Sequence, residues 1–138
     1  MFIDSNVFCY YFSGSLEHHE PVSEFLEQAV EQETLQTSVI VLMEVSHYLV
    51  NTLGPIEAKE TVSSLLSYPI DVYDFNYSLF TDSVDQLARY SPKGIGGRDA
   101  SILACMSEQD ISTLITHDQA FKTVDEINVV DPVEQSFS

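Results

Sequence analysis

Met1-Phe2-Ile3-Asp4-Ser5-Asn6 opens the chain: three apolar residues that run directly into three polar ones. Such a run reads as a short buried strand with a carboxylate at its carboxyl end. The same pattern returns near the other end, where Thr113–Thr116 is a short apolar strand and Asp118 follows two residues later. Between them, helical and extended signals alternate. Residues 17–32 place Val22, Phe25, Leu26, Ala29 and Val30 at helical spacing, with Glu20, Glu24, Glu27 and Glu31 on the opposite face. Thr34–Ser38 is short and β-prone, and Ser38 is placed to cap a helix running to about Asn51. Gly54-Pro55 ends that helix and starts another, with Ala58, Val62, Leu65 and Leu66 on one side. Ile70–Phe75 alternates as a strand, and Tyr77, Phe80, Val84, Leu87 and Ala88 mark a helix closed by Ser91-Pro92. The loop Gly94-Ile95-Gly96-Gly97 leads into a helix from Arg98 or Asp99 to Glu108, Asp118–Phe121 forms a helical turn, and Ile127–Val130 makes the last strand. Strands alternating with helices predict an α/β fold: one parallel sheet covered by helices on both faces. Residues 1–131 read as a single domain and 132–138 as a loose C-terminal tail.

Composition narrows the class. The chain has 138 residues, 22 acidic against 5 basic side chains, and a net charge of −17. Folding at this length buries about 15,000 of roughly 22,500 Å² of chain surface, enough for a core without staples. An apolar fraction of 44%, with seven tyrosines and eight phenylalanines, argues against disorder. Cys9 and Cys105 are too few for a disulfide scaffold and lack metal-ligand spacing, so they read as core or near-core residues. No apolar run approaches the ~18 residues of a membrane span. Residues 1–12 carry no basic stretch of the kind that opens a signal peptide, so the expectation is a cytoplasmic protein with no membrane contact. The charge predicts high solubility and repulsion of nucleic acid. Three lysines against twelve glutamates and ten aspartates also resemble, in composition alone, proteins of halophilic microbes, whose high salt screens such repulsion.

Chemistry in an open parallel sheet collects at the carboxyl ends of the strands. Asp4 and Asp118 stand there, and Asp99 opens a helix after a glycine-rich loop. Each has a purely structural alternative, as an Asx turn or a helix cap. Glu44 is harder to place structurally. It lies within the apolar run Val39–Val45, beside Ile40, Val41, His47 and Tyr48 at helical spacing, where an unpaired carboxylate is costly. With only five basic residues available, a metal ion is the cheaper partner. Four carboxylates in one cleft would raise one another's pKa unless a divalent cation neutralised them, and oxygen-only ligands suit Mg²⁺ or Mn²⁺ better than zinc.

Four segments, in order along nearly the whole chain, carry a family likeness: Phe2-Ile3-Asp4-Ser5-Asn6-Val7-Phe8, Thr37-Ser38 followed by Glu44, Gly97-Arg98-Asp99-Ala100, and Thr116-His117-Asp118-Gln119-Ala120-Phe121. Together they resemble the PIN domain and, more narrowly, the VapC toxin ribonucleases. The resemblance implies a three-layer α/β/α sandwich and Mg²⁺- or Mn²⁺-dependent hydrolysis of RNA phosphodiester bonds. Its acidic metal-binding quartet corresponds to Asp4, Glu44, Asp99 and Asp118, and its supporting polar residues to Asn6, Ser38 and Thr116. It further implies a cognate antitoxin whose tail covers the cleft, and a homodimer. His117 stands where the family varies and reads as a bystander. The grooves around Val41, Val45 and the first amphipathic helix are expected to take a partner's apolar helix.

Arg89, Lys93 and Arg98 fall within ten positions leading into Asp99. Either this is coincidence, or Lys93 and Arg98 form a local grip on substrate phosphate beside the metals. Other small α/β proteins fit less well. A receiver domain needs paired acids after the first strand and a lysine near the end of the last. A phosphatase of the DxD type needs an acid where Asn6 stands. A non-catalytic PIN-like module normally lacks one of the carboxylates. A PIN nuclease of RNA processing or quality control remains the alternative to a toxin.

Overall fold

Five short strands carry the molecule: β1 (Phe2–Ile3), β2 (Leu35–Ser38), β3 (Ile70–Tyr73), β4 (Thr113–Ile115) and β5 (Asn128–Val130). In the computed structural model, which describes residues 1–14 and 17–138, they pair entirely in parallel in the order β3-β2-β1-β4-β5. Parallel neighbours cannot be joined by tight turns, so helices make the crossovers. These are α1 (Ser5–Phe12), α2 (His19–Gln32), α3 (Val39–Leu53), α4 (Pro55–Leu65), α5 (Tyr77–Tyr90) and α6 (Gly97–Glu108). With helices flanking the sheet, the architecture is the expected three-layer α/β/α sandwich.

The strand order positions the site. The chain moves outward from β1 through β2 to β3, then returns to place β4 on the other side of β1. Phe2 pairs with Leu114 and Ile3 with Ile115, so β1 and β4 end side by side at the point where the winding reverses. A crevice opens at such a reversal, beyond the carboxyl ends of the strands. Phe2, Ile3, Leu114 and Ile115 are completely buried, as central strands covered on both faces must be.

Helix α1 has no clear signature in sequence, because Val7-Phe8-Cys9-Tyr10-Tyr11-Phe12 contains no strong helix former. Tertiary structure makes it helical: the Asp4 carboxylate caps its first turn and Val7 and Phe8 are locked into the core. Ser38 caps α3 as expected, its Oγ accepting from the Val41 amide at 3.4 Å. Gly54 closes α3 at a φ of +84°, where any side chain would be strained, and Pro55 then starts α4.

Three expectations are corrected. In α5 the apolar stripe Tyr77, Phe80 and Val84 faces outward; Tyr77 is 82% exposed. The helix instead packs on Leu79, Ser83 and Tyr90, and Ser83 is tolerated inside because its hydroxyl donates to the Leu79 carbonyl at 2.7 Å. Val41 and Val45 are fully buried and line no groove, while Leu66 and Val30 are exposed. Residues 132–138 are not loose: Pro132 is buried and the Phe137 ring meets Phe25 of α2 edge-on at 5.5 Å.

Candidate active site and metal centre

Asp4 leaves β1 into the crevice and is only 4% exposed. Its Oδ1 accepts from the Ser5 amide at 2.7 Å; its Oδ2 accepts from Thr116 Oγ1 at 2.7 Å and Asn6 Nδ2 at 3.1 Å. Thr116 Oγ1 in turn accepts from Asn6 Nδ2 at 3.2 Å and from the Asp118 amide at 3.0 Å, and Asn6 Oδ1 accepts from the His117 amide at 3.2 Å. Neutral groups therefore stitch the ends of β1 and β4 together and set the loop that carries Asp118. Asp118 caps the short 3₁₀ turn Gln119–Thr123 by accepting from the Ala120 amide at 2.9 Å. Asp99 arrives from the first turn of α6, and Glu44 from the second turn of α3.

The charges of the four carboxylates act on one another in pairs. Burial pushes the Asp4 carboxyl up to about 6; hydrogen bonds from Thr116 and Ser5 oppose this, and the charges of Asp99 and Glu44 add to it. Asp99 is also raised, first by burial and then by the charge of Asp118, while the Gly96 amide and Arg98 pull the other way. Ser5, which no sequence signal singled out beyond its place after Asp4, bridges two members: its hydroxyl lies 3.0 Å from Glu44 Oε2 and 3.4 Å from Asp4 Oδ1. An all-oxygen, hard, negatively charged donor set of this kind fits Mg²⁺ or Mn²⁺. The thiols do not contribute a nucleophile: burial pushes Cys9 up to about 12 and Cys105 up to about 11.

The reading of Glu44 as lacking an organic cation is corrected. Arg98 Nη1 sits 2.9 Å from Glu44 Oε2, with the arginine 72% exposed. Arg98 follows a helix start and reaches across to α3, a contact that no local pattern encodes. The three neighbouring basic residues part company in space. Arg89 pairs with Glu126 at 2.8 Å, Lys93 donates to the Thr123 carbonyl at 2.9 Å, and both lie over the Tyr90 ring. Of the three, Arg98 alone contacts a quartet carboxylate. Ser38, expected in support of the quartet, uses its oxygen as the α3 cap.

His117, read as a bystander to the chemistry, has a structural partner. Its Nδ1 meets Asp131 Oδ2 at 2.8 Å, and Lys122 Nζ reaches the same oxygen at 2.8 Å and Glu134 Oε2 at 3.1 Å. Ligand atoms of His117, Asp131 and Glu134 lie within 4.8 Å of one another, tighter than the quartet, but the Lys122 ammonium already supplies their cation.

Comparison with known proteins converges on one family. Residues 1–127 match the PIN domain. Ribonuclease VapC23 of Mycobacterium tuberculosis is 27% identical over 127 residues, covering 86% of this chain and 92% of that protein. The crystal structure of Mycobacterium tuberculosis VapC20, a Sarcin-Ricin loop cleaving toxin, superposes with a TM-score of 0.78 at 19% identity, covering 94% and 98% of the two chains. A toxin-antitoxin complex from Klebsiella pneumoniae gives 0.67 at 22% identity, covering 95% and 96%. With the PIN match covering residues 1–127, which include four of the five strands and all four carboxylates, the chain belongs to the PIN-domain family.

Proposed function

We propose that the protein is a Mg²⁺- or Mn²⁺-dependent ribonuclease acting as the toxin of a toxin–antitoxin pair. The observation that supports this reading is that Asp4, Glu44, Asp99 and Asp118 act on one another through their charges near the β1/β4 reversal, with Arg98 paired to Glu44. These four would hold the ion. Bound there, it would polarise a phosphate oxygen and acidify the attacking water. The chain's own groups orient the ligands: Thr116 and Asn6 fix Asp4 Oδ2, and Ser5 spaces Asp4 from Glu44. Arg98 would exchange Glu44 for a substrate phosphate, and Lys93, on the turn before α6, would have to leave the Thr123 carbonyl to add a second contact.

The antitoxin reading is supported by the toxin-antitoxin assembly among the similar structures and by charge: a basic side chain entering this cleft would meet three uncompensated carboxylates. Its apolar helix has a place in a hollow of about 240 Å³ between α1, α2 and β3, lined by Phe8, Tyr11, Leu26, Val30 and Tyr68. A second copy is proposed to cover the exposed apolar residues Met43, Phe80 and Val84, completing a homodimer. Among the described residues no helix is long and apolar enough to cross a membrane, and a cytoplasmic site of action is part of the proposal.

Purified protein incubated with RNA and Mn²⁺ is expected to cleave it and to stop on addition of EDTA. Co-expression with the small neighbouring gene should give an inactive complex, and expression alone should arrest growth. Cleavage undiminished in EDTA overturns the metal mechanism; an active enzyme that is harmless alone and binds no neighbour's product is instead a ribonuclease of RNA processing or quality control.

A further inference from the structure

A second hollow, of about 730 Å³, adjoins the carboxylate cleft and shares Glu44 and Arg98 with it. Its far wall carries Tyr10, His47, Tyr48 and Asn51. We infer that it is a subsite for one unpaired nucleobase flanking the scissile phosphate of single-stranded RNA, an inference that rests on the ribonuclease reading.

Helix geometry aims both walls from the site. On α3, Glu44 is followed at i+3, i+4 and i+7 by His47, Tyr48 and Asn51, one continuous face. On α1, Asn6 is followed at i+4 by Tyr10. Two helices thus each present a group of the carboxylate cleft and, one turn further, an aromatic ring. The tyrosines are braced: Tyr48 shares a 2.6 Å hydrogen bond with Ser13, and the Tyr10 ring sits edge-on to His18 at 5.0 Å and His117 at 6.2 Å. His47 and Asn51 are exposed along the same wall, with donors and acceptors for a base edge. The volume falls in the roughly 300–1,000 Å³ range of small-ligand sites.

The charge of the protein favours such a subsite. At a net charge of −17 the surface repels a polyanion, so affinity for RNA cannot come chiefly from phosphate contacts. Stacking a base on a ring needs no charge and tolerates sequence. The hollow combines ring faces with imidazole and amide edge groups beside an ion pair, which suits a base that stacks and hydrogen-bonds at its edge.

The test compares a short RNA having one cleavage site with two versions lacking the base immediately 5′ or 3′ of the scissile phosphate. For the wild-type protein one abasic version should lose roughly 5- to 150-fold in kcat/KM, the effect of one lost stack. His47→Ala and Tyr48→Leu should lose activity on the full RNA and little on that abasic RNA, while Tyr48→Phe retains the wild-type preference. His47 is exposed, so its variant keeps the test valid if Tyr48→Leu fails to fold. Anisotropy of the uncleaved RNAs in EDTA should show the same ranking, independent of catalysis. Equal binding and equal rates on full and abasic RNAs overturn the subsite and leave the hollow to a protein partner. A base preference unchanged in both variants places the subsite elsewhere. Absence of cleavage of every RNA, with the binding ranking intact, sinks the ribonuclease reading alone.

Discussion

Two buried aspartates stand on the same side of the sheet in opposite electrostatic states. Asp4 follows β1 and is 4% exposed; Asp131 follows β5 and is 2% exposed. For Asp131, burial alone would raise the carboxyl, but hydrogen bonds from Lys122 and His117 and the Val133 amide hold it below the usual carboxylate range. Asp4 receives only neutral donors, faces two further carboxylates, and is pushed up to about 6. A chain with five basic residues has given one of them to the first aspartate's neighbour Glu44 and one to Asp131 itself. The compensated carboxylate is a strut: through His117 it steadies the loop that carries Thr116 and Asp118. The uncompensated one is, on the proposed function, a socket for a cation from outside.

The sharpest way to break this contrast is to remove a carboxylate from each side. Asp99→Asn should lower ribonuclease activity by more than ~100-fold, since even an outer partner of a metal ligand is worth 10–100-fold. Asn keeps the shape, and melting of the metal-free protein should not fall, because repulsion with Asp118 is relieved. Asp131→Asn should retain divalent-cation dependence and cost mainly stability. Comparable activity losses in both variants would erase the distinction between strut and socket.

Metal removal reads the same contrast through pH. Asp4 binds its proton more tightly folded than unfolded, moving from 3.8 to about 6. Its contribution to metal-free stability is therefore full below about pH 4 and lost as pH rises through 6. Asp131 has the reverse sign: its contribution is present above the ordinary carboxylate range and is lost on acidification. On the proposed function Mn²⁺ takes the ionised quartet, so the gain in melting temperature on adding it should be large at pH 7.5 and shrink progressively as pH falls through about 6. At a hundredfold excess over Kd the gain corresponds to about 2.7 kcal/mol. A gain independent of pH from 5 to 8 would show that the ion binds elsewhere.

Lys122→Ala sharpens the other side. The ammonium touches Asp131 and Glu134, and its loss leaves a buried carboxylate with the His117 ring and the Val133 amide as its nearest partners. Breaking a fully buried pair costs about 3–5 kcal/mol; Lys122 is partly exposed, so about 1–3 kcal/mol is expected. Denaturant melts should show the midpoint falling at constant m-value, with Mn²⁺ stabilisation retained.

Much of this was legible from the sequence because strand ends and helix starts are written locally. Asp4, Asp99 and Asp118 each follow a recognisable element boundary, and Glu44 interrupts an apolar run, so all four stood out before their proximity was known. What was hidden depends on partners far apart in the chain. Arg98 and Glu44 are 54 residues apart, and His117 and Asp131 meet only because β4 and β5 are neighbours. Helix α1 was invisible because its residues become helical only when Val7 and Phe8 are buried. The face of α5 was misread because periodicity cannot tell which of two partly apolar stripes meets α6, and Ser83 on the inner one looks polar.

The smallest effect separates the two arginines. Arg89 and Glu126 form a surface pair in which both side chains are more than half exposed, an arrangement worth little. Arg89→Ala should leave both kcat and KM for RNA unchanged. Arg98 is itself exposed but is held against Glu44, inside the field of the quartet, so its loss acts in two opposing ways. Without the guanidinium, Glu44 is freer to ligate the ion and Mn²⁺ affinity should rise; without a cation facing the substrate, KM for RNA should increase by roughly 5- to 10-fold, less than a buried charge-assisted hydrogen bond because the guanidinium is largely exposed. Measuring both quantities on one variant distinguishes a guanidinium that competes with the ion from one that merely props Glu44 in place. A prop would lower Mn²⁺ affinity when removed. A rise in Mn²⁺ affinity together with a rise in KM assigns Arg98 to the socket, as the internal cation that the metal displaces and the phosphate then meets.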